Sequence, residues 1–172
     1  MKKILITGVA GYIGSCLQVY LKNKYKIAGL DKKKSNDFKL IVCDLLNVNK
    51  LNKILKKEKP NLIIHLAAQS LVDETINKKK YYFNNVIATK NLISAMKKNK
   101  LNNLIFSSTA AIYKYKNSSL SEKSKIKPIS TYAKTKFQCE QLIKKSKINS
   151  IILRFFNVCS SLKINNKFIG EF

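Results

Sequence analysis

Thr7-Gly8-Val9-Ala10-Gly11-Tyr12-Ile13-Gly14 carries three of the five glycines in the whole chain. It follows a short apolar run of strand type, Lys2-Lys3-Ile4-Leu5-Ile6, and precedes residues 15–24, where Ile13, Leu17, Tyr20 and Leu21 recur at helical spacing. Strand, glycine turn and helix in that order form a phosphate-binding geometry. Missing Cβ atoms let backbone N–H groups and the positive end of the helix reach a pyrophosphate, and the last glycine lets helix and strand pack closely. Gly8, Gly11 and Gly14 are therefore cofactor-binding candidates. An ordinary strand-to-helix turn has the same glycines, so the rest of the chain must decide.

A second apolar strand over 26–30 ends in Asp31. A carboxylate at the end of such a strand accepts hydrogen bonds from both hydroxyls of an adenosine ribose and repels a 2′-phosphate, so NAD is expected over NADP. Strand-like and helical runs then alternate. Residues 38–43 read as a strand, and 48–59 as a helix with Val48, Leu51, Ile54 and Leu55 on one face, stopped by Pro60. Residues 61–66 are a buried strand and 81–99 a long helix with Val86, Leu92, Ile93 and Met96 inward. A strand over 101–106 opens into Ser107-Ser108-Thr109, followed by a helix over 130–147 and a sixth strand over 150–154. The alternation predicts an α/β fold, a doubly wound, Rossmann-like parallel sheet with helices on both faces. No internal repeat or linker divides the 172 residues.

The net charge of +25 would ordinarily suggest nucleic acid or an anionic membrane surface. Yet Arg154 is the one arginine among 34 basic residues, and the lysines are spread through every segment. Lysine recognises phosphates and bases less well than arginine's planar fork, so no specific nucleic-acid partner is expected. Cys16, Cys43, Cys139 and Cys159 stand far apart, with His65 the lone histidine. That spacing gives neither a zinc site nor a disulfide framework and fits a reducing, cytoplasmic compartment. No run approaches the length of a membrane span. His65, ending a strand, reads as a core residue rather than a catalyst.

Tyr132-Ala133-Lys134-Thr135-Lys136 places a tyrosine and a lysine one helical turn apart, on the same face. A phenol with a pKa of ~10 is a poor base at neutral pH, but a neighbouring ammonium and a cationic nicotinamide would stabilise its phenolate. In a lysine-rich chain such a pair arises easily. Thr109 adds weight, because it lies just beyond the fifth strand, where a parallel sheet places its ligand crevice, and its hydroxyl can bridge a substrate oxygen and the tyrosine.

The segments TGVAGYIG, Asp31, Asp44-Leu45, HLAAQS, YYFNN, SSTAAIY, YAKTK and RFFNV occur in the order found in extended short-chain dehydrogenase/reductases. The chain resembles their NAD-dependent epimerase/dehydratase family, and within it the branch that epimerises UDP-hexoses. The resemblance implies Tyr132, Lys136 and Thr109 as catalytic residues. It implies cofactor contacts at Tyr12 and Ile13 on the pyrophosphate turn and at Asp31 on the ribose. Asp44 and Leu45 would lie beside the adenine, and Leu66, Ala67, Ala68 and Ser70 along the pyrophosphate and nicotinamide ribose. Asn84, Lys136 and Phe156 would lie further in. The substrate side would be met by Thr109, Tyr132 and Asn157. No metal is implied.

The implied reaction interconverts UDP-glucose and UDP-galactose through a transient 4-keto sugar, with NAD regenerated in each turnover. A nucleotide-sugar 4,6-dehydratase shares the glycine and tyrosine motifs, but such enzymes also carry an acid and a base directly after the Ser/Thr, where this chain has Ala110-Ala111. A non-catalytic NAD-binding module is the third reading. The sequence departs from the pattern at Lys114, at Ala133, in a short loop from Asp31 to Phe38, and at Ser70, where some members place a lysine. Family members continue into a substrate-binding lobe, so residues 1–172 are expected to be an NAD-binding domain truncated before that lobe. A UDP-sugar is the expected partner, with a homodimer for a full-length form.

Overall fold

A computed structural model describes residues 1–35, 39–71, 75–115 and 119–159. Its six strands are β1 (Lys3–Thr7), β2 (Lys26–Asp31), β3 (Ile41–Val42), β4 (Leu62–His65), β5 (Asn103–Thr109) and β6 (Asn149–Phe155). All pair in parallel, in the order β3-β2-β1-β4-β5-β6. The helices are α1 (Tyr12–Leu21), α2 (Val48–Glu58), α3 (Lys78–Tyr81), α4 (Ala88–Lys98) and α5 (Thr131–Ser146). The predicted doubly wound sheet is present.

The strand order decides which face each helix covers. From β1 the chain steps one way to β2 and β3, and from β4 it steps the other way to β5 and β6. Right-handed crossovers then put α1 on one face and α2, α4 and α5 on the other. The two apolar clusters follow this division. Leu5, Leu30, Ile63, Leu104 and Phe106 pack with Leu51, Leu55, Leu92, Met96, Cys139 and Ile143 on the crowded face. Leu51 and Leu55 are fully buried, each contributing roughly 2 kcal/mol. On the opposite face Ile4, Ile6, Val9 and Ile64 pack with Leu17 and Leu21 of α1. That helix does not reach β6, whose Ile151 and Leu153 share this face and stay 57% and 39% exposed.

Several expected boundaries move. α1 starts at Tyr12, not at residue 15, because Gly11 in extended backbone is its N-cap. Ser15 is already inside, its Oγ donating to the carbonyls of Gly11 and Tyr12. β3 is two residues long; Phe38, its expected start, lies outside the described residues. The helix expected over 81–99 begins at Lys78 and winds as a π-helix from Tyr82 to Ile87 before α4. β5 continues through the polar Ser107, Ser108 and Thr109, which pair with Leu153, Arg154 and Phe155 of β6. Thr109 is thus the strand's last residue rather than the first beyond it. α2 ends where Pro60 required, with Lys59 in the left-handed region at φ 42°.

Candidate functional site

β1 and β4 are neighbours in the sheet, but their following connections leave in opposite directions. The crevice beyond their carboxyl ends is the switch point at which open parallel sheets take ligands. Here it is a cleft of about 550 Å³. Every residue named from the sequence for cofactor, substrate or catalysis lines this one cleft. Reading along the chain missed other walls, namely Leu30, Lys32, Cys43, Ala88, Ser107, Ser108, Phe155 and Val158.

The glycine turn forms the floor. Gly8 has φ +73°, and a Cβ there would lie 2.6 Å from the backbone nitrogen of Ala67. At Gly14 a Cβ would lie 2.4 Å from the carbonyl oxygen of Gly8 and 2.7 Å from the Cα of Val9. These two glycines let turn, helix and β4 close on one another, whereas Gly11 is tight only against the Gly8 carbonyl, at 3.2 Å. α1 opens without a side-chain cap, an end suited to an anion. Asp31 ties this floor to β2: one carboxylate oxygen accepts from the Ala10 N–H at 3.1 Å, the other from the Lys33 N–H at 3.1 Å. Each oxygen keeps a lone pair for a ribose hydroxyl. Farther along the cleft the Asp44 carboxylate accepts from the Leu46 N–H at 2.8 Å, and the Leu45 carbonyl accepts from Asn91 Nδ2 at 3.0 Å. A cradle that side chains would fill, an uncapped helix end and a carboxylate lining the same cleft fit a dinucleotide.

β4 delivers His65 into the interior, not to the cleft. Its ring is fully buried and hydrogen-bonded to Thr7 Oγ1 at 2.7 Å and Thr89 Oγ1 at 2.9 Å. Burial, helped by the Lys136 charge, lowers its pKa to about 3, so it is a neutral structural group. Thr7 Oγ1 also accepts from the Ala67 N–H at 3.3 Å, which fixes the start of the loop carrying Ala67, Ala68 and Ser70. The π-helix supplies the facing wall. Its wider winding leaves Asn84 lining the cleft while Asn85 is buried. Asn85 accepts from the Gln69 N–H at 2.7 Å and donates to Thr135 Oγ1 at 2.9 Å, joining that loop to α5.

α5 brings the reactive candidates. Ser130 caps it by accepting from the Ala133 N–H at 3.1 Å, so Tyr132 sits in the first turn. Burial holds the Tyr132 phenol above its ordinary pKa, and the nearby Thr109 hydroxyl offsets this only in part. The sequence argument expected the neighbouring ammonium to dominate. In the structure Lys136 is buried with its Nζ 4.4 Å from the Phe106 ring centroid, and desolvation lowers its own pKa to about 8, against the charges of Cys139 and Glu140. A phenolate therefore needs further positive charge in the cleft. At its open side Phe156 and Asn157 are exposed. Among the described residues no group of three metal-ligating side chains occurs, and no helix is long and apolar enough to cross a membrane.

Comparison with known proteins gives one consistent picture. The profile of the NAD dependent epimerase/dehydratase family matches residues 4–172. A UDP-glucose 4-epimerase of Rhizobium meliloti (strain 1021) is 34% identical, covering 92% of this chain and 52% of that protein. A dTDP-D-glucose 4,6-dehydratase of Dictyostelium discoideum is 33% identical over the whole chain and 47% of its own length. Among solved structures, UDP-glucose 4-epimerase from Brucella ovis in complex with NAD superposes with a TM-score of 0.85 at 28% identity, over 91% of this chain and 52% of that one. The UDP-Glc/GlcNAc 4-epimerase of Campylobacter jejuni gives 0.83 at 34% identity, over 98% and 58%. The chain spans about half the length of these relatives.

Proposed function

We propose that this chain, which belongs to the NAD dependent epimerase/dehydratase family, is the NAD-holding domain of an enzyme that interconverts UDP-glucose and UDP-galactose at C4. The observation that carries the reading is the far end of the cleft, where the side chains of Thr109, Tyr132 and buried Lys136 converge on one wall and the next residues are Ala110 and Ala111. Inverting one carbon requires a proton to leave and return to the C4 oxygen and a hydride to leave and return to C4. NAD, when bound, supplies the reversible hydride acceptor. Tyr132 Oη takes and returns the proton, the Thr109 hydroxyl holds the sugar oxygen against it, and Lys136 orients the nicotinamide ribose. Gly8, Gly11, Gly14, Tyr12 and Ile13 hold the pyrophosphate, and Asp31 the adenosine ribose. Asn157 meets the sugar nucleotide. Residues 1–172 form one NAD-binding domain, and the surface gripping uridine belongs to the length that the relatives carry beyond it.

The Dictyostelium relative supports a second reading, elimination of water from a nucleotide sugar. Elimination needs an acid and a base beyond the tyrosine, and two alanine methyl groups supply neither.

Calorimetric titration with NAD⁺ and NADP⁺ tests the cofactor half on this chain alone: NAD⁺ should bind more tightly, and equal affinities would remove the Asp31 argument. A coupled assay with UDP-galactose, on a form extended to its relatives' length, tests the reaction. Tyr132→Phe should abolish turnover and leave NAD bound. Release of water with formation of a 4-keto-6-deoxy sugar would establish the dehydratase instead.

A further inference from the structure

Arg154 is the chain's single arginine; every other one of its 34 basic residues is lysine. It stands on β6 directly beside Ser108 of β5. Its Nε donates to Glu140 Oε1 at 3.0 Å and its Nη2 to Glu140 Oε2 at 2.8 Å, a fork on both carboxylate oxygens. Nη1 donates to Tyr113 Oη at 2.8 Å, and the guanidinium carbon lies 5.0 Å from the Tyr113 ring centroid. Glu140 is fully buried, and its Oε1 also accepts from Ser108 Oγ at 2.5 Å. This cluster lies outside the proton-handling set, but its anchors flank that set. Glu140 is two turns along α5 from Tyr132 and one from Lys136, while Ser108 precedes Thr109.

We infer that Arg154 is a positioning residue: through Glu140 and Ser108 it fixes α5 on the end of β5, and so holds Tyr132 against Thr109. A lysine there would put one point charge on one oxygen and leave Tyr113 and the second oxygen unserved, whereas the planar fork satisfies all three at once. The chain's single arginine thus stands where a fork is needed to satisfy all three acceptors. The inference rests on reading Thr109 and Tyr132 as partners in the proposed reaction, but it can be tested without turnover.

The test is a double-mutant cycle on the 172-residue chain, read by the ¹³Cζ resonance of labelled tyrosine, with Tyr132 identified by its loss in Tyr132→Phe. Thr109→Val should displace the Tyr132 resonance in the parent chain, and in the Arg154→Lys background that displacement should be lost while the chain still melts cooperatively. An equal displacement in both backgrounds overturns the inference, since a merely structural arginine would leave the Thr109–Tyr132 coupling intact. Should Arg154→Lys fail to fold, the paired exchange Glu140→Leu with Arg154→Met removes fork and buried charge together and is judged by the same criterion. Failure of the parent to bind NAD would sink the functional reading and leave the cycle interpretable.

Discussion

The Lys136 ammonium lies 4.4 Å from the centroid of the Phe106 ring, buried between α5 and β5. The ring face and the more distant Glu140 do not repay its desolvation, and its pKa falls to about 8 from an ordinary 10.5. Between those values the unfolded chain binds more protons than the folded one, so this group's contribution rises with pH across the window and is unfavourable below it. Lys136→Met should therefore stabilise the ligand-free fold at pH 7, by roughly 2 kcal/mol, and the gain should shrink by pH 10. Urea unfolding of both chains at the two pH values measures it. A variant less stable at pH 7 would mean that the ammonium is better paired than its surroundings suggest.

His65 works in the same direction at lower pH. Its folded pKa of about 3 lies below the ordinary 6.5, so the unfolded chain takes up the extra proton as pH falls, and stability is lost from pH 6.5 downward. His65→Gln should be less stable at pH 7 by about 1–2 kcal/mol, the cost of disturbing two buried hydrogen bonds. Its acid-induced decline should be shallower, so the two stability curves should cross at about pH 5.5. Parallel curves in urea titrations would show that acid acts on other groups.

Gly14 and Gly29 offer a matched contrast. A Cβ at Gly14 meets backbone at 2.4 and 2.7 Å, which cannot yield, whereas at Gly29 it meets the Val9 side chain at 2.9 Å. Gly14→Ala should lower stability by ~2 kcal/mol or more and weaken NAD binding at least tenfold, about 1.4 kcal/mol. Gly29→Ala should cost less and leave the cofactor in place. Thermal melts and calorimetry on both variants decide it; similar behaviour would mean that the turn can open.

What the sequence revealed and what it hid divide along physical lines. Periodicity and glycine spacing are local signals, and they located β1, the turn, α2 and the stop at Pro60. The start of α1 was hidden because Gly11, not a polar side chain, is its cap. β5 was read too short because Ser107, Ser108 and Thr109 have little strand propensity, and only pairing with β6 keeps them extended. The π-helix left no compositional trace. The residues named for cofactor, substrate or catalysis all line one cleft, whereas His65, Asn85 and Arg154 of the same motifs turn inward. The pairings of Glu140, Asn85 and Arg154 stayed hidden because their partners lie 14 to 50 residues away, and only the folded chain brings them together. The lowered Lys136 pKa depends on burial, which spacing does not report.

The strip of β6 that α1 leaves bare has a colloidal consequence. Ile151 and Leu153 present adhesive hydrocarbon on a particle that carries a charge of +25. At low ionic strength like-charge repulsion keeps such particles apart, but at 0.5 M salt the screening length falls to roughly 4 Å and short-range adhesion takes over. Light scattering should report single chains in dilute buffer and growing aggregates as sodium chloride is added, and Ile151→Lys should suppress that growth. The scattered lysines would then act as a dispersant, and the chain's solubility would be set by the salt around it.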